Sequence, residues 1–118
     1  MTRWDPWSYS EGDVRAGSKE LIGFKVEATD GHIGKVDEAS YDVGSSYLVV
    51  DTGPWIFGKK VLLPAGTIDN VDRETKQVYV GRSKDEIKNS PALDTAMYRE
   101  PEYHREVGDY YSRFYPSL

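Results

Sequence analysis

The amino-acid sequence predicts a mainly β protein, a small closed antiparallel barrel of about six short strands with one short helix and an extended or helical tail. Two observations support this fold class. Between residues 21 and 94, short apolar or alternating runs are separated at near-regular intervals by Gly, Pro and Asp, which is typical of all-β domains. The spacing of apolar residues changes to a helical period only once in that range, after Ser83. Closure of the sheet would remove its unpaired edges.

The first two strands are predicted by an apolar run, residues 21–26, that leads into Asp30-Gly31. Asp-Gly between strand-like runs indicates a hairpin with a type I′ turn, because that turn needs positive φ at both central residues. In the returning strand, Gly34 predicts a bulge or a close approach of another backbone.

The next strands follow from their apolar content. Tyr47–Asp51 is continuously apolar before its last residue, which predicts a strand buried on both faces. Lys60–Pro64 resumes the pattern and ends at a proline that cannot donate to a ladder. A polar turn is expected at residues 72–76, before the alternating run 77–81.

A short helix over residues 83–89 is predicted by a capping box. The Ser83 hydroxyl can accept from the Glu86 amide, while the Glu86 side chain reaches back to the Ser83 amide. Ile87 should face the core, and Pro91 lies just beyond the end.

Composition argues against several classes of function. The net charge is −5, with 15 basic and 20 acidic residues and no basic cluster beyond Lys59-Lys60, so we expect no nucleic-acid partner. There is no cysteine, no secretory leader pattern and no apolar stretch of about 20 residues, so we expect a cytoplasmic protein without a transmembrane segment.

The sequence also predicts no catalytic residue, metal site or cofactor. His32 and His104 are the only histidines and have no carboxylate cluster at ligand spacing. Asp37 and Glu38 are neighbours on a strand, so they should face opposite sides and cannot act as an acid–base pair. The carboxylates at 69, 72 and 74 are explained by turn formation, and no glycine-rich phosphate loop is present.

One loop is unusually apolar, since Trp55, Ile56 and Phe57 lie in a strand connection where polar residues are usual. We weigh two interpretations of this segment. Either Trp55 folds back to cap the end of the barrel, or the segment is a docking loop flanked by Lys59 and Lys60.

The chain divides into an amino-terminal arm (residues 1–20), a barrel domain (21–94) and an aromatic tail (95–118) that is partly helical. Four apolar positions of the tail share one helix face: Tyr103, Val107, Tyr110 and Phe114.

Gly108 weakens the predicted tail helix and could kink it. The aromatic face can pack on its own barrel or on a second subunit. We favour a homodimer, because the arm also carries Trp4 and Trp7, and the predicted anchors are Tyr98, Tyr103, Tyr111 and Phe114.

In order and spacing, five segments resemble the PRC-barrel family. They are Leu21-Ile22-Gly23, Asp30-Gly31 with Ile33-Gly34-Lys35-Val36, Tyr47–Asp51, Lys60–Pro64, and the ending from Val78-Tyr79-Val80 to Pro91. The family includes the cytoplasmic domain of the photosynthetic reaction-centre H subunit and the carboxy-terminal domain of RimM, and this chain looks like a stand-alone bacterial version.

The resemblance implies a non-enzymatic, self-associating protein-interaction or scaffold module, compatible with peripheral association with a membrane complex. The chain lacks the transmembrane helix of the H subunit and the amino-terminal domain of RimM, so neither photosynthesis nor ribosome maturation carries over. The alternative is a small-ligand carrier, or an enzyme, that uses a pocket at the barrel end.

Overall fold

The computed structural model describes Trp7 and residues 21–40, 46–53, 60–91, 93 and 100–115. Six strands and two α-helices follow one another in chain order, with a 3₁₀ turn at Ala65–Thr67 between the fourth and fifth strands. They are β1 (Lys25–Ala28), β2 (Gly31–Ser40), β3 (Tyr47–Asp51), β4 (Lys60–Pro64), β5 (Ile68–Asp72), β6 (Gln77–Val80), α1 (Lys84–Lys88) and α2 (Pro101–Ser112). The predicted strand number is confirmed.

The strands form a single sheet in the order β4-β3-β2-β1-β6-β5. Four of its pairings are antiparallel, but β1 and β6 run parallel, so the prediction of a wholly antiparallel structure is wrong at this pairing. The reason is topological. No tight turn connects β1 to β6, so β6 is not forced to run antiparallel to β1 as a hairpin partner is.

The sheet does not close by hydrogen bonding, because β4 and β5 end the strand order and do not pair with each other in the described structure. These strands are nevertheless joined by only the 3₁₀ turn Ala65–Thr67. A linker of three residues spans about 10 Å at most. The sheet must therefore curl until the connected ends of β4 and β5 lie near one another, and the predicted closure into a barrel is not confirmed.

The β1–β2 hairpin is present, but its turn is not the predicted type I′. Ala28 pairs with Gly31, so Thr29 and Asp30 are the central turn residues. Among the described non-glycine residues only Lys76 has positive φ, so Asp30 does not adopt the conformation that a type I′ turn requires. The Asp30 carboxylate instead accepts a hydrogen bond of 2.8 Å from the Lys84 amide, which fixes the turn against α1.

The core fills the inside of the curled sheet. The burial of β3 agrees with the prediction, since Tyr47 to Val50 are buried and only Asp51 is exposed. The capping box of α1 is also confirmed, with Ser83 Oγ accepting from the Glu86 amide and Ile87 fully buried. The largest side chains without solvent contact include Leu21, Ile33, Leu48, Leu62, Leu63, Ile68 and Val78.

The tail forms α2, which packs on the chain's own sheet beside β4. Tyr111 and Val107 are fully buried and Tyr103 is nearly so, whereas Tyr110 is only half-buried. The inward face therefore centres on Tyr111, one position beyond the predicted Tyr110. The helix is continuous through Gly108. No described helix is both long and apolar enough to cross a membrane.

Candidate functional site

A groove of about 560 Å³ lies where the beginning of β2 meets the end of β3. Apolar atoms make up most of its wall, and Lys84 from α1 closes one side. We call this the β2–β3 groove. Its lining residues are His32, Ile33, Gly34, Lys35, Asp51, Thr52, Gly53 and Lys84.

The floor of the groove depends on the absence of a side chain at Gly34. A Cβ atom there would lie 2.0 Å from the carbonyl oxygen of Asp51, well inside van der Waals contact. The β1–β2 register also shifts between Val26 and Glu27, opposite this point. Both features predicted for Gly34, the bulge and the close approach, are therefore present, and they bring β2 and β3 together at the groove.

The exit of β3 shapes the opposite wall. Asp51 Oδ1 accepts a hydrogen bond of 2.9 Å from the Gly53 amide, which forms a turn directly after the strand. Gly53 has φ of 56°, a left-handed conformation that suits glycine. The chain then enters residues 54–59, so the apolar sequence Trp55-Ile56-Phe57 follows the groove immediately along the chain.

Lys84 is placed by the start of α1. Its amide is bonded to Asp30, and the Thr29 amide donates to the Arg82 carbonyl at 3.0 Å, so the helix start is held against the β1–β2 turn. The Lys84 side chain crosses the hairpin close to Gly31. Its ammonium is thereby kept at the groove margin.

Two pairs of side chains border the groove. His32 Nδ1 lies 2.5 Å from Glu27 Oε2 across the β1–β2 hairpin, and Lys60 Nζ donates to Asp37 Oδ2 at 2.7 Å. The hydrogen bond and the charge of Asp37 raise the pKa of Lys60 above its ordinary value. Both pairs are exposed to solvent, so they orient side chains more than they stabilise the fold.

The arrangement offers binding more readily than catalysis. Among the described residues, no three His, Asp or Glu side chains lie close enough together to hold a metal ion. The Asp72 carboxylate accepts from the Thr75 and Glu74 amides, and these hydrogen bonds, chiefly those with Thr75, lower its pKa. This is the turn-forming role that the sequence predicts for the acid at position 72.

The predicted interaction residues are found in different places. Trp55, Ile56, Phe57 and Tyr98 lie outside the described residues. Tyr103 and Tyr111 are buried inside the protein itself, and burial raises the pKa of both phenols. Of the tail anchors that the structure describes, only Phe114 keeps part of its ring accessible.

Phe114 is itself engaged by the chain. The Arg82 guanidinium lies 5.0 Å from the centre of the Phe114 ring and 4.7 Å from that of Tyr115, and Tyr110 contacts Phe114 edge-on. The Tyr110 hydroxyl donates to the Glu86 carbonyl at 2.6 Å. The end of the tail is therefore fastened to α1.

The groove residues Lys35, Asp51, Thr52 and Lys84 were not among the site residues predicted from the sequence. A weak signal was available, because Asp51-Thr52-Gly53 follows the most apolar strand and a turn there exposes polar groups at a strand end. The contribution of Lys84 had no local signal, since it comes from a helix more than thirty residues further along the chain.

The fold is similar to that of a solved structure described as a 16S ribosomal RNA processing protein, RimM, from Pseudomonas aeruginosa. The TM-score is 0.50 at 18% sequence identity, and the match covers 64% of this chain and 49% of that one, so this chain spans about half the length of that protein. No curated protein matches the chain. The family model of the PRC-barrel domain matches residues 13–87, well over half of the sequence. The chain is thus a member of the PRC-barrel family.

Proposed function

We propose that this protein is a non-enzymatic interaction module that binds another protein through the β2–β3 groove. The observation that carries the proposal is the groove itself, an open recess with a largely apolar wall and the basic side chains of Lys35 and Lys84 on its margin. Interfaces commonly combine an apolar centre with a polar rim in this way. The apolar segment of residues 55–57, next in the chain, would enlarge such a surface.

Membership of the PRC-barrel family supports an interaction role, since the family resemblance carries no catalytic motif onto this sequence. The residues around the groove agree with it. Asp51 accepts from a turn amide, His32 is paired with Glu27, and Lys60 is paired with Asp37. None of these pairs sets a hydroxyl or thiol beside a base, and Asp37 raises the pKa of Lys60, which keeps that amine protonated and not nucleophilic.

Self-association is a separate part of the proposal. Tyr103 and Tyr111 are covered within one chain, so a dimer through the predicted interaction residues would use Phe114, Tyr98 or the segment 55–57. Light scattering of the full chain over a wide concentration range tests this. A monomeric mass at every concentration would remove the dimer and leave the groove proposal intact.

The test of the groove uses the full-length chain as bait in an extract of its source cells, with partners identified by mass spectrometry. Each partner is then purified, and its affinity for the chain is measured by calorimetry. Lys84→Glu should weaken binding by about tenfold or more, because it reverses a charge on the groove margin. Lys88→Glu makes the same change at an exposed site in the same helix and should leave the affinity unchanged.

Absence of any reproducible partner would contradict the interaction module. A partner that binds the wild type and Lys84→Glu equally would contradict the groove as its site.

A second candidate, a small-ligand carrier, is favoured by the groove volume. About 560 Å³ falls within the range of roughly 300–1,000 Å³ found for small-molecule sites. Native mass spectrometry of protein purified from its own cells under gentle conditions tests it. A bound compound lost in Lys84→Glu would support carriage, and an unliganded mass in every preparation would contradict it.

A further inference from the structure

The register of the sheet places six polar side chains in one row that crosses every strand. Each member is the direct cross-strand neighbour of the next, and residues paired in this way project from the same face of a sheet. All six are exposed or half-exposed. In order across the sheet, this polar row consists of Asp72, Gln77, Lys25, Lys35, Asp51 and Lys60.

The centre of the polar row is a pair of like charges. Lys25 of β1 and Lys35 of β2 are direct antiparallel partners, and both side chains are exposed. Like charges placed directly opposite each other destabilise a strand pair. The protein keeps this unfavourable arrangement although its net charge is −5 and acidic residues are plentiful.

The carboxylates near the lysine pair form their hydrogen bonds with other groups, although Asp51 is also the cross-strand neighbour of Lys35. Glu27 is paired with His32, Asp37 with Lys60, and Asp51 accepts from the Gly53 amide. Asp72 accepts from the backbone amides of its own turn. Among the described residues, neither Lys25 nor Lys35 forms an ion pair.

Each lysine adjoins a recess. Lys35 lines the β2–β3 groove. The Lys25 amide donates to the carbonyl of Lys76. Lys76 lines a second depression, of about 470 Å³, together with Arg73, Phe24 and Ile22. Ile22 is 47% exposed, a high value for an isoleucine beside the core. The lysine pair is thus flanked by two recesses whose walls include apolar side chains.

We propose that Lys25 and Lys35 bind the carboxylate side chains of an acidic peptide segment in a protein partner, with neighbouring apolar side chains entering the adjoining recesses. This inference rests on the interaction role proposed above and names the chemistry of the partner. A bound carboxylate would relieve the repulsion between the two lysines. Binding would therefore supply an ion pair that the free protein lacks.

The flanking charges favour a peptide over a nucleic acid. Asp51 lies beside Lys35 in the polar row, and Asp72 ends the row beyond Gln77. A phosphate backbone carries negative charge along its whole length, so it would meet these carboxylates as well as the lysines. A peptide can present its acidic groups to the lysine pair alone.

The test measures fluorescence anisotropy of a labelled peptide, Glu-Glu-Leu-Glu-Glu, with the full-length chain. Comparison probes are the same peptide with lysine in place of glutamate and an oligothymidylate of equal negative charge. The acidic peptide should bind, more weakly as salt is added, and Lys25→Glu should weaken binding by about tenfold or more. Lys35→Gln should weaken it less, and Lys88→Glu should leave it unchanged.

The melting temperature of the variants gives a second measurement that does not depend on binding. Because Lys25→Glu places an opposite charge across from Lys35, its melting temperature should equal or exceed that of the wild type, so lost binding cannot be ascribed to unfolding. A lower melting temperature would contradict the unfavourable lysine pair on which the inference rests.

Three results would overturn the proposal: no saturable binding of the acidic peptide, equal binding by Lys25→Glu, or tighter binding of the oligothymidylate. A captured partner that binds Lys25→Glu as well as the wild type would refute this inference while leaving the interaction module standing. Failure of both the peptide and partner capture would remove both proposals.

Discussion

The indole of Trp7 stacks on the imidazole of His104, with ring centroids 5.0 Å apart and planes inclined by 22°. Tyr47 meets the same imidazole edge-on at 5.2 Å. The Trp7 carbonyl also accepts a hydrogen bond of 3.0 Å from the Ser46 amide, next to the start of β3. Trp7 of the amino-terminal arm therefore joins the start of β3 to α2 within a single chain.

We expect Trp7→Ala to lower the free energy of unfolding by about 1–3 kcal/mol, because it removes the stacking and packing that hold α2 from outside. Hydrogen exchange should increase more in α2 than in β1, since α2 loses the indole that packs on His104 and Gly108. Ile22→Ala is the control, an apolar truncation at an exposed site, and should change stability by less than about 0.5 kcal/mol. Uniform loss of protection across the sheet would contradict a local role for Trp7.

Gly108→Ala should stabilise the protein more in the Trp7→Ala background than in the wild type. Alanine favours a helix by roughly 1 kcal/mol over glycine. When Trp7 is present, however, the new Cβ would lie 3.2 Å from Trp7 Nε1. The indole must then move, and this movement offsets part of the gain in stability. Urea denaturation of the four proteins gives the coupling energy. Equal gains in both backgrounds would contradict the contact between Trp7 and Gly108.

Gly34→Ala should destabilise the protein by more than about 3 kcal/mol and disrupt the β2–β3 groove. Its Cβ would collide with the Asp51 backbone at 2.0 Å, so one of the two strands must move. Gly53→Ala is the matched control. No atom lies within 4 Å of a Cβ placed there. The loss of stability should therefore be only the roughly 1–2 kcal/mol that alanine loses in a left-handed conformation. Chemical denaturation measures both, and equal costs would contradict the close approach.

Stability should fall as the pH rises above about 10, the ordinary pKa of tyrosine. Burial raises the pKa of Tyr103 and Tyr111 in the folded protein, so the unfolded chain ionises first and its population grows with pH. The contribution of these phenols is complete below their unfolded pKa and is lost as the pH rises through the folded one.

Tyr111→Phe should reduce this alkaline slope by up to about 1.4 kcal/mol per pH unit. Near neutral pH it should cost little, because the buried Tyr111 hydroxyl has no hydrogen-bond partner among the described residues. Thermal unfolding between pH 8 and about 11 tests both statements. An unchanged slope in the variant would show that Tyr111 ionises equally in the folded and unfolded chains.

Local features were predictable from the sequence because their causes are local. The capping box of Ser83 and Glu86 depends on residues three positions apart, and the burial of β3 follows from its run of apolar side chains. The turn type at Asp30 was not predictable in this way. Its carboxylate is bonded to the Lys84 amide, 54 positions away, and the preference of an Asp-Gly pair gives no indication of that partner.

The tail illustrates the same division. Its helix and apolar face were predictable from spacing, but the surface that buries this face was not, because spacing does not say whether Tyr111 meets its own sheet or another subunit. Trp7 helps to decide this in the folded chain by packing against Gly108 and His104.

By itself the sequence determined the family, the six strands, the start of α1 and the absence of cysteine chemistry, all of which depend on residue type and short spacing. Only the tertiary structure decided the parallel pairing of β1 with β6, the groove that Lys84 closes and the opposition of Lys25 to Lys35. These features depend on register and on contacts between segments far apart in the chain. The packing of the whole core fixes each strand pairing, and the types of the two paired residues do not.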